Sequence, residues 1–299
     1  MPPYCFAEML FVRLLSSLPF WLLYAFSDFL FAVSYYLVRY RRKMVWKNLT
    51  NSFPEKTEKE LRKIEKQFYR NLCDYAVEML KLLTISKEEL GRRMRYTDVA
   101  AAEKFKAQGQ SVFILASHHF NWEWLLVAAS FSYPFQSDFI YQPQHNQFFN
   151  RFSLLSRTRF GAFPIKRDEV ARVSVKRKDI LRGIALVGDQ YPGYKKDKKY
   201  SLQFLNQETL FFFGANQLAV IMQFPVLFAE IRKVKRGYYE AKLVEIAAPP
   251  YEKDSHVIVE QYAKAVEELI RQDPTTWLWS HNRWKKRHLH QDTTIIKAS

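Results

Sequence analysis

Glycine is scarce in this chain: 8 residues in 299. Neither a Walker loop nor a glycine-rich dinucleotide fingerprint is present, so the usual backbone cradles for nucleotide phosphates are excluded. No self-similarity at a period of 20–50 residues occurs, which excludes solenoids and propellers. Cysteine is scarcer still. Cys5 and Cys73 stand far apart without metal-ligand spacing, so neither a disulfide framework nor a zinc site is expected, and a reducing compartment is the simple inference. Acidic residues are outnumbered 30 to 46, a net charge of +16 that calls for an anionic partner: nucleic acid, anionic lipid or an acidic protein. A secretory leader is not evident either, because the first apolar stretch leads into basic residues rather than a small-residue cleavage site.

Aromatic residues, by contrast, make up 16% of the chain, with 25 Phe, 17 Tyr and 7 Trp. They suit a large core, and Trp and Tyr also suit a membrane interface. Leu14–Val38 is long and apolar enough to cross a bilayer core as a helix. Pro19 breaks it near the start and Asp28 places a costly charge near its middle, so a partly inserted hairpin or an interfacial helix competes with a plain span. Arg39-Tyr40-Arg41-Arg42-Lys43 and then Lys47 follow, the pattern of a cytoplasmic membrane flank.

Past Pro54, Thr57 with Glu60 reads as a capping box opening a helix on which Leu61, Ile64, Phe68, Leu72 and Tyr75 recur at helical spacing. Lys87–Ala107 reads as a further strand and helix, closed by Gly109. Short apolar runs at Val112–Ala116, Phe139–Tyr141 and Ile184–Val187 read as buried strands, and Pro225–Ile231 with Tyr238–Ile246 reads as a hairpin. Helices are expected over Trp122–Ser130, Asn146–Thr158, Val173–Leu181, Ala215–Met222 and Ser255–Gln272, the last with Ser255 as its N-cap. Phe204–Phe213 suits a core or a chain-lined pocket, and Lys195–Lys199 a mobile basic loop. Strands alternating with helices predict an α/β fold with a central mixed sheet flanked by helices.

Chemistry concentrates at Ser117-His118-His119-Phe120-Asn121, between the first buried strand and the following helix, where open α/β sheets place their sites. His118 is the only histidine with an acidic residue five positions on, Glu123. From the first helical turn such a carboxylate can reach back to one imidazole nitrogen, fix the tautomer, and leave the other as a base. Arg167, ending the turn Gly161–Arg167, is a candidate anion clamp. Asp189 and Gln190 end a third strand and point into the same crevice.

In order along the chain, His118-His119-Phe120-Asn121-Trp122-Glu123, Gly161–Arg167, Gly188-Asp189-Gln190 and the tail Trp277-Leu278-Trp279-Ser280-His281-Asn282-Arg283-Trp284-Lys285 resemble the lysophospholipid acyltransferase superfamily, closest to its bacterial late lipid A lauroyl/myristoyl transferase branch. Phe68-Tyr69-Arg70-Asn71-Leu72 resembles another block of that branch. Tyr191 follows Gln190 where the family often carries a second acidic residue. The resemblance implies one α/β acyltransferase domain over 51–299, preceded by a membrane-associating helical segment over 1–50 with a basic exit. It also implies a place on the cytoplasmic face of the bacterial inner membrane. The implied reaction moves a fatty acyl chain from acyl carrier protein, or acyl-CoA, to a hydroxyl of a lipid A precursor. His118 and Glu123 are then the catalytic candidates, and Asn121, Arg167, Asp189 and Gln190 the substrate-binding ones. No cofactor and no metal are required. Competing acceptors are another lysolipid, an aminolipid or a glycolipid. The basic charge and the aromatic–basic tail alone would also suit a nucleic-acid binder, but no nucleic-acid motif accompanies them. A metal site from His118, His119 and His281 lacks ligand spacing.

Overall fold

Residues 3–193, 197–285 and 295–297 are described by a computed structural model, with side chains from Glu8 onward. In chain order the strands are β1 Met94–Asp98, β2 Val112–Ala116, β3 Gln136–Tyr141, β4 Phe163–Lys166, β5 Arg182–Val187, β6 Lys199–Phe204, β7 Gln207–Phe212, β8 Val226–Lys235, β9 Tyr238–Ala247 and β10 Ile295–Lys297. The helices are α1 Pro3–Ser17, α2 Phe20–Ala32, α3 Arg42–Ser52, α4 Glu58–Lys81, α5 Lys87–Arg93, α6 Ala100–Ala107, α7 Trp122–Ser132, α8 Gln147–Thr158, α9 Val170–Lys176, α10 Gly214–Met222 and α11 Val257–Gln272.

β2 sits at the middle of a seven-stranded sheet in the order β1-β9-β8-β2-β5-β3-β4. β8, β2, β5, β3 and β4 run parallel, while β9 is antiparallel to β8, which makes the sheet mixed. Every residue of β2 is buried. That explains its unbroken apolar run: a central strand covered on both faces has no solvent face to mark with polar residues. β10, β6 and β7 form a second small sheet. The sequence reading of Phe204–Phe213 as one apolar stretch missed this β6–β7 hairpin, because Leu205 and Asn206 turn it without glycine, both at positive φ.

α4 begins as predicted. Thr57 and Glu60 form a reciprocal capping box, with the Thr57 N–H donating to Glu60 Oε2 at 2.8 Å. At the other helix predicted with a cap, α11, the N-cap is His256, and Ser255 Oγ accepts from the Val257 N–H at 3.4 Å one step earlier. The predicted Val173–Leu181 helix is shifted to Val170–Lys176. Lys199, expected in a basic loop, already belongs to β6; residues 194–196, and Lys286 and Arg287 of the tail, lie outside the described residues.

The N-terminal apolar stretch breaks at Pro19 into α1 and α2, and α2 continues into a π-helical turn over Val33–Leu37. Phe20–Leu37 is, among the described residues, the stretch long and apolar enough to cross a membrane. α2 packs Leu23, Ser27 and Phe31 inward and leaves Trp21, Phe26 and Phe29 exposed. Asp28, the expensive charge, is matched from the β8–β9 turn. The Arg236 guanidinium donates to Asp28 at 2.8 and 3.0 Å and to Asp74 of α4 at 2.7 and 2.9 Å. The N-terminal segment is thereby tied to the α/β core.

Candidate active site

The corner after β2 is held from three directions. Asn121 caps α7, its Oδ1 accepting from the Trp124 N–H at 3.0 Å, while its Nδ2 donates to Glu78 of α4 at 3.0 Å. The same buried carboxylate accepts from the Tyr24 and Tyr239 hydroxyls at 2.9 and 2.8 Å, and burial raises its pKa. From the C-terminal side, residues 276–278 run against the motif: the Phe120 N–H donates to the Thr276 carbonyl and the Leu278 N–H to the His118 carbonyl. His119 faces inward. Its Nδ1 lies 2.6 Å from Ser117 Oγ, and burial drives its pKa down to about 3, so it stays neutral.

His118 remains at the edge of this corner. Its Nδ1 lies 2.6 Å from Asp189 Oδ1, and its backbone N–H donates to Asp189 Oδ2 at 3.0 Å. Asp189 Oδ2 also accepts from Trp277 Nε1 at 2.6 Å. Burial alone would raise the Asp189 pKa, but the His118 charge and hydrogen bonds, with help from Trp277, hold it well below the usual carboxylate range. With a carboxylate on Nδ1, that nitrogen carries the proton, and Nε2 is left as the acceptor. Arg283 is fully buried near Asp189 with its guanidinium over the Phe211 ring; among the described residues that guanidinium has no hydrogen-bond partner, and burial pushes its pKa down to about 10.

The partner of His118 is therefore Asp189, where the sequence pointed to Glu123. The register explains it. β2 and β5 are parallel neighbours with Ala116 opposite Val187, so His118 and Asp189 each lie two residues beyond a matched pair. Glu123, in the first turn of α7, meets α8 instead. It accepts from Arg157 at 2.8 and 2.5 Å and from Trp122 Nε1 at 3.1 Å. Against the raising effect of burial, Arg157 keeps its pKa low. Asp189 was expected as a substrate-binding group and is 1% exposed; Asn121, expected in the same role, is enclosed with both ends of its amide bonded. Among the described residues, neither is part of the lining of the cavity that His118 borders.

His118, Trp122, Glu123, Arg157 and Gln190 do line one, of about 510 Å³. It runs back over the sheet beneath α7 and α8. Ala116, Ala185 and Ala229 leave room over the strands, and Leu125, Phe139, Tyr96 and Tyr133 enclose the rest in apolar and aromatic surface. Gln190 also borders a neighbouring cavity of about 550 Å³ that contains Arg167. The Arg167 guanidinium bonds Asp197 and lies over the Phe212 ring. Among the described residues no group of three His, Cys, Asp or Glu side chains stands ready for a metal, so His118, His119 and His281 do not form such a cluster.

Sequence reasoning missed Trp277 and Arg157 as partners of the two acids. Each is far along the chain from its acid, and no local spacing signals the pairing. An imidazole with one nitrogen fixed by a buried carboxylate, at the rim of a narrow apolar cavity, can take a proton from a hydroxyl beside a hydrocarbon chain. No curated protein matches the chain. A family model described as bacterial lipid A biosynthesis acyltransferase matches residues 1–286, and with that match over nearly its full length the chain belongs to the bacterial lipid A biosynthesis acyltransferases.

Proposed function

We propose that this enzyme transfers a fatty acyl group from a thioester, carried by acyl carrier protein or coenzyme A, to a hydroxyl of a lipid A precursor, with His118 as general base. The observation that carries the reading is the His118–Asp189 pair at the rim of the apolar cavity. His118 Nε2 takes the proton as the acceptor oxygen attacks the thioester carbonyl. The tetrahedral intermediate collapses, the carbon–sulfur bond breaks, and the imidazolium returns its proton to the departing thiolate. Asp189 orients the ring and stabilises its positive charge, as the acid does in a catalytic triad. The cavity seats the acyl chain. Glu123 and Arg157 form a fixed polar pair on its wall, and Gln190 and Arg167 contribute polar contacts to the headgroup side.

A place on the cytoplasmic face of the inner membrane is supported by the exposed aromatic side of α2 and by the exposed basic residues Arg39, Arg41, Lys43 and Lys47 beyond it. The basic surface also suits an acidic carrier protein and a phosphorylated acceptor. With purified protein, an acyl thioester and a lipid A precursor, mass spectrometry should show the acceptor gaining one acyl mass. His118→Ala should leave the fold intact and abolish the product. Undiminished product from His118→Ala would refute the assignment.

A further inference from the structure

A second apolar cavity lies on the far side of α4 and α8 from the one that contains His118. It has a volume of about 640 Å³, within the roughly 300–1,000 Å³ range of ligand pockets. Its walls come from both N-terminal helices and the π-helical turn (Val12, Leu30, Val33, Val38), from α4 and from α8. On α4 the stripe Leu72, Ala76, Met79 and Leu80 turns toward it. These positions fall at i, i+4, i+7 and i+8 along one side of the helix, where Leu72 and Met79 also touch the core. The polar atoms of Ser34 and Cys73 in its lining are 3.5 Å apart and satisfy each other.

Two features say what such a cavity holds. Its rim carries exposed apolar and aromatic side chains of the membrane-type segment and of α8: Leu37 beside it, Val38, Tyr40 and Phe149. A hydrocarbon chain can reach it without crossing water. Its inner wall is shared with the His118 cavity through Tyr75, Met79 and Phe152, and exposed Phe149 borders both. Tyr75 in turn packs on Trp122 with ring centroids 4.2 Å apart, and Trp122 lies edge-on to His118 at 5.0 Å. One aromatic partition thus separates the two cavities a few ångströms from the base.

We propose that this outer cavity binds a hydrocarbon chain already present on the acceptor lipid, while the inner cavity holds the chain being transferred. This rests on the acyl-transfer reading above. The two-chain arrangement brings the acceptor to His118 from the membrane side by its own chain, and keeps the donor chain over the sheet, beneath α7 and α8. Specificity for an acylated acceptor then resides partly in α1, α2 and α4, whose residues line the outer cavity.

Ala76 is exposed on α4, lines the outer cavity and does not line the inner one. Ala76→Phe places a phenyl ring in the outer cavity and narrows it without entering the core. The expected result is a rise of tenfold or more in the KM for lipid A precursor, with the KM for the acyl thioester and kcat at saturating acceptor unchanged. An unchanged acceptor KM, or a rise confined to the donor KM, overturns the proposal. Absence of transfer in the unsubstituted enzyme would count against the acyl-transfer reading instead, and a binding readout is independent of turnover. A lipid A precursor with a diazirine on one of its acyl chains should cross-link to the segment Leu72–Leu80, and Ala76→Phe should suppress it. Cross-links confined to α7 would overturn the proposal. So would equal labelling by a diazirine phospholipid that excess lipid A precursor does not displace, because the cavity would then hold a bilayer lipid.

Discussion

D189N separates the two acids that sequence spacing and tertiary structure put forward as the partner of His118. Asp189 accepts three N–H groups: His118 Nδ1 on Oδ1, and the His118 backbone and Trp277 Nε1 together on Oδ2. The amide that replaces it has one acceptor oxygen. Placed at the Oδ2 position it keeps two of the three bonds, and its NH₂ then faces His118 Nδ1. A donor there requires Nδ1 to be the acceptor, which moves the imidazole proton to Nε2 and removes the lone pair that faces the cavity. The wrong tautomer and the lost carboxylate charge together should cost about 10³–10⁴ in kcat, or about 4–5.5 kcal/mol of barrier. Product mass from a fixed acyl thioester and lipid A precursor gives the rate, and circular dichroism checks the fold. Glu123→Gln is the comparison: its hydrogen bonds go to Arg157 and Trp122, and it should lose less. If D189N stays within tenfold of the unsubstituted enzyme while Glu123→Gln falls a thousandfold, the Asp189 assignment is wrong.

Trp277→Phe removes a single charge-assisted hydrogen bond to Asp189 and should lower kcat by about tenfold, roughly a hundredfold or more short of the D189N effect; steady-state kinetics with unchanged KM values check it. Arg157→Met strands the buried Glu123 carboxylate and should destabilise the chain by about 3–5 kcal/mol in urea unfolding, and adding Glu123→Gln should recover much of that loss. Acid should destabilise the protein through buried His119 and half-buried His281. His119, with its pKa driven down to about 3, and His281, driven down to about 4, stay neutral in the native state and take up protons only on unfolding. The unfolded chain therefore binds more protons below the ordinary histidine pKa of about 6.5, so stability is full above that pH and falls as pH drops toward 4 and 3. The His119 share is about 3–5 kcal/mol. A His119→Gln variant should show a flatter stability profile over that window in denaturant titrations at stepped pH.

Local patterns were enough for much of this protein. The capping box at Thr57, the break at Pro19, the buried run Val112–Ala116 and the hairpin that became β8 and β9 each depend on neighbours in sequence, and sequence specifies them. So does the placing of His118 at a strand-to-helix corner, since that needs only a strand end and a helix cap. The charge imbalance and the apolar N-terminal stretch are likewise properties of composition and local order alone.

Partner choice was another matter. His118 meets Asp189, 71 residues away, because β2 and β5 are parallel neighbours in one register, and register is a property of the assembled sheet. Glu123 meets Arg157 because α7 lies beside α8, and Asp28 meets Arg236 because α2 lies against the β8–β9 turn. A five-residue spacing limits what a side chain can reach. Which of the reachable groups it bonds is decided only when burial forces each charged or polar group to find a partner, and those partners arrive from strands and helices brought together by the packed core.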